Sequence, residues 1–295
     1  MKVITTWARC PGTCGEWVQG SQQGMPFLVD CPVDRFAEVV VRVIDSGSLL
    51  KVPPRKAKVG EALRHLAETR HWQLDLSADF KVELPEGKGM ASSTADIVAA
   101  AAAASLAAEG RMLEPKDLAK LALRIEPTDS VMFPGLTQIN HTGGRYCLSL
   151  GEAVPAQFLA LDWGGQVDTL SFNARHDLAG HYRKYEKETS KALELAKAGI
   201  KQGDLEKLAS AATLSAFCNQ EINPKIHFSS FLAWVKAHGG LGVIAAHSGT
   251  LLAGVFPPGK VGGSLLGQAC EEFAPVFSAV LNARGGGVES GFGEG

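Results

Sequence analysis

A chain of 295 residues with 45% hydrophobic residues carries enough apolar material for one large domain or two small ones. Lysine plus arginine (29) nearly balances aspartate plus glutamate (31), a formal net charge of −2, so composition offers no basic excess for nucleic acid. No apolar run spans a bilayer, the start has no stretch of signal-peptide length, and six scattered cysteines without a C-x-x-C pair argue against a disulfide framework, a zinc or an iron–sulfur site. The expectation is a soluble cytoplasmic protein with neither a membrane nor a nucleic-acid partner.

In chain order, Val3 to Trp7 and Phe36 to Ile44 read as strands, rich in β-branched and aromatic residues. The segment between them, Pro11-Gly12-Thr13-Cys14-Gly15-Glu16, is dense in turn formers. Lys51 to Lys58 reads as a polar connector, Gly60 to Thr69 as a helix, and Phe80 to Leu84 as a half-buried strand. Ile97 to Ala108 has nearly ideal helix composition. Pro115 opens a further helix that should stop at Glu126, because Pro127 follows. A boundary is placed near residue 155. Beyond it, Phe158 to Asp162 is a strand and helices are predicted over His181 to Ala198, Leu205 to Phe217 and Ser229 to Ala237. Gly242 to Ala246 and Thr250 to Phe256 form two strands about a turn at His247-Ser248-Gly249, and Val261 to Phe273 is helical. The glycine-rich end, Gly285 to Gly295, reads as a mobile tail.

The most informative stretch is Pro85-Glu86-Gly87-Lys88-Gly89-Met90-Ala91-Ser92-Ser93-Thr94-Ala95-Asp96. A glycine-bearing turn between a strand and a helix is suited to phosphate, because unpaired N–H groups at a helix start carry partial positive charge and glycine lets an anion approach. Ser92, Ser93 and Thr94 offer hydroxyls, and Lys88 offers a point charge. The plainer alternative is that Ser92 or Ser93 only caps the helix. Neither a Walker loop nor a dinucleotide loop is present.

Three further segments, PGTCGEWVQG (residues 11–20), EPTDS (126–130) and AAHSGT (245–250), accompany this loop. Together they resemble the GHMP kinase superfamily, whose second motif runs P-x-x-x-G-L-G-S-S-A and stands here on Pro85, Gly89, Met90, Ala91, Ser92, Ser93 and Thr94. Pro11, Gly15 and Glu16 match the first motif; Ala246 to Gly249 match the third more loosely. Within the superfamily the sequence is most similar to the L-threonine kinase branch of cobalamin synthesis. C-G-E-x-x-Q-G at Cys14 to Gly20, C-P-V-D at Cys31 to Asp34, G-M-A-S-S-T-A-D-I at Gly89 to Ile97, E-P-T-D-S and H-S-G at His247 to Gly249 carry that likeness. The sequence departs from the superfamily pattern where Ala91 replaces the second loop glycine and where the third motif lacks its glycine-rich run.

The resemblance implies an α+β, two-domain GHMP kinase fold. A ribosomal-S5-like N-terminal domain (residues 1–155) would carry the phosphate loop, and a ferredoxin-like C-terminal domain would occupy residues 156–295. It implies ATP and Mg²⁺ as cofactors, with ATP bound by residues 85–95, the metal by Ser93 and Glu126, and the attacking hydroxyl oriented by Asp129. Phosphoryl transfer asks for positioning and charge neutralisation, which one carboxylate and one hydroxyl beside the phosphates satisfy. Glu16, Asp34, Thr128, His247 and Ser248 are the candidate substrate-binding residues. A carboxylate suits the ammonium of an amino acid, and Arg9, Arg35, the hydroxyl of Ser248 or backbone N–H groups near Gly249 suit its carboxylate. The implied reaction converts L-threonine to L-threonine O-3-phosphate for the aminopropanol linker of cobalamin. The other acceptors weighed are homoserine, serine and mevalonate. Other classes weighed are a nucleotide binder without catalysis and a hydrolase on Ser248, though Ala246 and Thr250 stand where a G-x-S-x-G elbow needs glycines. A homodimer is one expectation for assembly. Thr213 and Ser215 are expected to serve helix packing, and Cys14 to be a buried thiol.

Overall fold

The computed structural model describes residues 3–44, 47–167 and 169–293. Two 20-residue strands, β1 (Val3–Gln22) and β2 (Met25–Ile44), dominate the first part, joined at Gln23 and Gly24. Both turn residues have positive φ (53° and 73°), the geometry of a tight hairpin whose twist matches its strands. There follow β3 (Leu50–Lys51), α1 (Ala57–Thr69), β4 (Asp75–Val82), α2 (Ser92–Glu109), α3 (Pro115–Ile125), β5 (Leu136–Ile139) and β6 (Cys147–Gly151). The remainder runs β7 (Gln157–Asp162), α4 (Thr169–Asn173), α5 (Leu178–Lys184), α6 (Glu186–Gln202), α7 (Leu205–Asn219), α8 (Phe228–Ala237), β8 (Gly242–Ala245), β9 (Leu252–Phe256), α9 (Gly263–Phe273), β10 (Phe277–Asn282) and β11 (Glu289–Phe292).

The strands form one sheet in the order β10-β7-β9-β8-β1-β2-β4-β3, with β11 added to β1 and β5–β6 to β2. All pairs are antiparallel except β3–β4. The alanine-rich α2 is apolar on every side because it is covered on every side: β1 and β2 lie on one face, α1 and α3 on the other. Alanine lets the helix lie close to the sheet, where Thr6 Oγ1 donates to Ala103 O (2.7 Å). Farther along, β7 shows period-two burial: Phe158 and Ala160 face α6 and α7, while Leu159 and Leu161 face the layer of α8 and α9.

Three expectations are corrected. The Pro11–Glu16 segment is strand, not turn; β1 passes through it with register shifts against β2 at Pro11/Thr13, Thr13/Glu16 and Glu16/Val18. Bulges accept a proline that a regular ladder would reject, which is why turn-type residues stand inside a strand. The single helix expected over His181–Ala198 is broken at Tyr185 into α5 and α6. The glycine-rich end is built into the fold: Gly286 N donates to Gly135 O (2.9 Å), Gly287 N donates to Val131 O (2.8 Å), and β11 pairs with Thr6 to Arg9. A Cβ on Gly286 would strike the Phe133 carbonyl, so the glycines serve close approach; residues 294 and 295 lie outside the described residues.

Candidate active site

Between β4 and α2 the backbone takes left-handed conformations at alternate residues, Gly87 (φ 69°), Gly89 (φ 83°) and Ala91 (φ 55°). Ala91 is the N-cap of α2 and provides no side-chain cap. Ser92 and Ser93 are therefore already helical, and the first backbone bond into the turn is Ala95 N donating to Ala91 O (2.8 Å). The N–H groups of Ser92, Ser93 and Thr94 have no helical acceptor, and they open toward a cleft. A helix whose serine merely caps it would have closed this end; here it is left open, as an anion site requires.

The loop is locked to the first and third motifs by main chain. Gly15 N donates to Gly89 O (3.2 Å) and Thr13 N to Met90 O (3.1 Å). Thr250 N and Leu251 N both donate to Lys88 O (3.2 and 3.0 Å). A Cβ at Gly249 would fall well under 3.0 Å from the Gly89 nitrogen and Lys88 carbonyl; one at Gly89 would strike Ala246. Glu16 in β1 stands opposite Ala245 of β8, which brings the first motif beside His247.

These elements enclose a cleft of about 570 Å³, within the range of small-molecule sites. Residues 86–87 and 89–94 line it, together with Glu16, Glu126, Thr128, Asp129 and Ser248. Asp129 Oδ2 accepts from Thr94 Oγ1 (2.9 Å), and Thr128 Oγ1 donates to Thr94 Oγ1 (3.3 Å). Burial, then the nearby charges of Glu16 and Glu126, push the Asp129 carboxyl up to about 7. Beneath it, Asp30 Oδ2 accepts from the backbone N–H and hydroxyl of Ser130, and burial raises its pKa as well. Glu126, which ends α3 as predicted, accepts from Lys58 Nζ (2.5 Å).

The family described as GHMP kinases N terminal domain matches residues 57–133. The L-threonine kinase of Salmonella typhimurium is 35% identical over 250 residues, covering 83% of this chain and 81% of its own. The chain belongs to the GHMP kinase family. The L-threonine kinase of Citrobacter freundii is likewise 35% identical, over 84% of its length. Homoserine kinase from Cytophaga hutchinsonii (TM-score 0.70, 15% identity, 98% of both chains) and L. major mevalonate kinase (TM-score 0.69, 11% identity, 97% of both chains) have the same fold. The α+β GHMP kinase fold expected from the motifs is therefore present, and the protein is an ATP-dependent kinase.

Not every expected site residue of this GHMP kinase reaches the cleft. Lys88 turns away: its Nζ donates to Asp162 Oδ1 (2.7 Å) and Gly165 O (2.8 Å), so its charge serves the loop's underside and not a phosphate. Asp34 is on the surface, accepting from the backbone N–H and side chain of Asn282 (2.9 and 2.6 Å); it fastens β10 and does not line the cleft. Arg9 pairs with Glu289 and Arg35 is exposed, so neither faces an acceptor. His247 is buried behind the wall: its backbone N–H donates to Glu16 Oε2 (2.8 Å), and its ring lies between that oxygen (Nδ1, 3.1 Å) and Ser215 Oγ (Nε2, 3.0 Å). It positions Glu16 and reaches no acceptor. Ser215 and Thr213 bond within the fold as expected, and Cys14 is buried with its thiol pushed up by desolvation.

Several site residues carried no motif. Lys56, wholly buried, bonds Asp96 and Glu86 (both 2.7 Å) and Glu83 (3.0 Å). Those bonds outweigh burial and hold its charge. Asp30 and His141 lie in or under the cleft with buried polar atoms that have no partner among the described residues. For Asp30 the signal in the sequence was a charged residue inside an otherwise apolar strand; Lys56 and His141 lie outside strands and carried none. For Mg²⁺ the donor set fits: Glu126 and Ser93 line one cleft, and among the described residues no cluster of three or more acidic, His or Cys side chains offers a closed cage. One carboxylate and one hydroxyl suit a cation that arrives with phosphates and keeps several waters. Among the described residues no helix is long and apolar enough to cross a membrane.

Proposed function

We propose that this GHMP kinase transfers the γ-phosphoryl group of ATP to the side-chain hydroxyl of L-threonine, releasing L-threonine O-3-phosphate and ADP. The reading rests on the likeness to L-threonine kinases over four fifths of their length. It is supported by a cleft that sets an uncapped helix start beside Asp129 and Glu16. Residues 1–155 then form the domain carrying the phosphate loop and 156–295 the second domain, in a cytoplasmic enzyme whose product suits the aminopropanol linker of cobalamin.

The N–H groups of residues 92–94 bind phosphate oxygens, with the positive end of α2 behind them. Ser93 and Glu126 would hold Mg²⁺, which neutralises phosphate charge when bound. Glu126 must first give up Lys58, leaving that ammonium beside the phosphates. Asp129 keeps one oxygen on Thr94 and presents the other to the acceptor hydroxyl. As the acceptor oxygen bonds to the γ-phosphorus, the bond to the β,γ-bridging oxygen breaks and ADP leaves with that electron pair. Asp129 takes the hydroxyl proton. Glu16, steadied by His247, attracts the substrate ammonium.

The test is ADP release from Mg²⁺-ATP with L-threonine, L-serine, L-homoserine, mevalonate or no acceptor. L-threonine should stimulate most strongly, and Ser93→Ala and Glu126→Gln should each lower kcat by about 10²-fold. Preferential stimulation by mevalonate, which lacks an ammonium, would overturn the reading.

A further inference from the structure

His141 follows β5 and sits on the cleft wall. Its side chain is almost wholly buried, with 3% of the residue exposed, and neither ring nitrogen has a partner among the described residues. Its own carbonyl accepts from Thr128 N (2.9 Å), which holds the residue one position from Asp129. A buried imidazole with two idle nitrogens is a standing cost to the fold, since both were hydrogen-bonded to water in the unfolded chain. An aliphatic side chain would fill the same space without it. Burial, then His247, lowers its pKa to about 4, so the ring is neutral and offers one N–H donor and one acceptor.

The acceptor end of the cleft otherwise has an imbalance. Glu16 and Asp129 supply two carboxylates, suited to an ammonium. No arginine is placed there: Arg9 and Arg284 are engaged with Glu289, and Arg55, also on the cleft, pairs with Glu83. Gln19 directs one amide N–H to Tyr182 Oη (2.8 Å). A zwitterionic acceptor needs a donor for its own carboxylate; besides the Ser248 hydroxyl, the cleft offers the ring N–H of His141, which has no partner among the described residues.

We propose that the His141 imidazole donates to the α-carboxylate of the amino-acid acceptor and so selects amino acids over simple amino alcohols. The proposal rests on the acceptor reading above and adds the group that recognises the carboxylate. A neutral donor suits this place, because it binds the carboxylate without cancelling the negative field that draws the ammonium.

The test compares L-threonine with (R)-1-aminopropan-2-ol, the same amino alcohol without its carboxylate, in wild type, His141→Leu and His141→Gln. His141→Leu should raise KM for L-threonine by about 10–100-fold. It should leave kcat/KM for the amino alcohol within about threefold and the Kd for ATP within twofold, and it should raise Tm because the idle nitrogens are gone. His141→Gln, which restores an N–H, should recover most of the L-threonine affinity. An unchanged KM for L-threonine refutes the proposal, as does an equal loss with both acceptors, which would put the ring on the ammonium. A lower Tm with loss of ATP binding in His141→Leu also refutes it, since the residue would then be structural. The acceptor reading is judged separately, on wild type: no ADP with L-threonine refutes both together.

Discussion

Asp129→Asn should make this protein more stable while nearly abolishing its activity. Burial, with Glu16 and Glu126 nearby, raises the Asp129 carboxyl from 3.8 to about 7. The folded state therefore holds this proton more tightly than the unfolded chain does. For this group stability is greatest below about pH 4 and is lost as pH rises to about 7, where the curve flattens. The full displacement corresponds to about 4 kcal/mol at most. Asp129 is partly open to the cleft, and solvent there brings the figure nearer to about 2 kcal/mol. Asparagine is neutral at every pH and its carbonyl oxygen still accepts from Thr94. Metal- and nucleotide-free protein, melted at pH 4 and pH 8, should show the variant near wild type at pH 4. At pH 8 the variant should melt about 4–8 °C higher, with kcat down by about 10²–10⁴-fold. A Tm difference that is the same at both pH values, or a variant less stable at pH 8, would refute the assignment of a charged, desolvated carboxylate at this position.

The other predictions concern the loop and its cations. Gly249→Ala should weaken ATP binding by more than tenfold and cost about 1–3 kcal/mol in urea unfolding, because the new Cβ meets loop backbone and not a movable side chain. Ala91→Gly should keep activity and be neutral to stabilising by up to about 1 kcal/mol, since relief at φ 55° is partly offset by the freer unfolded chain. Ala91→Val should instead destabilise by about 2 kcal/mol. Lys58→Met strands the buried Glu126 carboxylate. With the lysine itself one-third exposed, the cost should be about 1–2 kcal/mol in EDTA, and Mg²⁺ should raise Tm more in the variant than in wild type.

Elements with one strong local period were legible in the sequence. The α2 and α3 helices, β7 and the β8–β9 pair stand within a few residues of where composition and proline put them. The misreadings share a physical cause. Pro11-Gly12-Thr13 and the terminal glycines look like turn or tail, yet long-range pairing overrides local preference: β1 is held by β2 on one edge and by β8 and β11 on the other. Asp34 and Lys88 had the right chemistry in the right motifs, but motif membership does not fix where a side chain points. Asn282 and Asp162, each far away in sequence, decide that. His141 had no motif at all, and only its unpaired burial singles it out.

The motifs are legible because the site is built largely from backbone. The phosphate loop presents N–H groups and not side chains, and its shape is fixed by bonds from Thr13, Gly15, Thr250 and Leu251 to its carbonyls. Close approach of three backbones demands glycine at Gly15, Gly89 and Gly249, where any Cβ would meet main chain or the Ala246 methyl. Such positions tolerate one residue type, so they leave a mark in sequence. The acceptor end is built from side chains, and many residues can offer a donor or a carboxylate from many places. A chain can therefore declare that it binds a phosphate more plainly than it declares what receives it. On the proposed reading, the acceptor is set by Glu16, Asp129 and His141 and not by the loop.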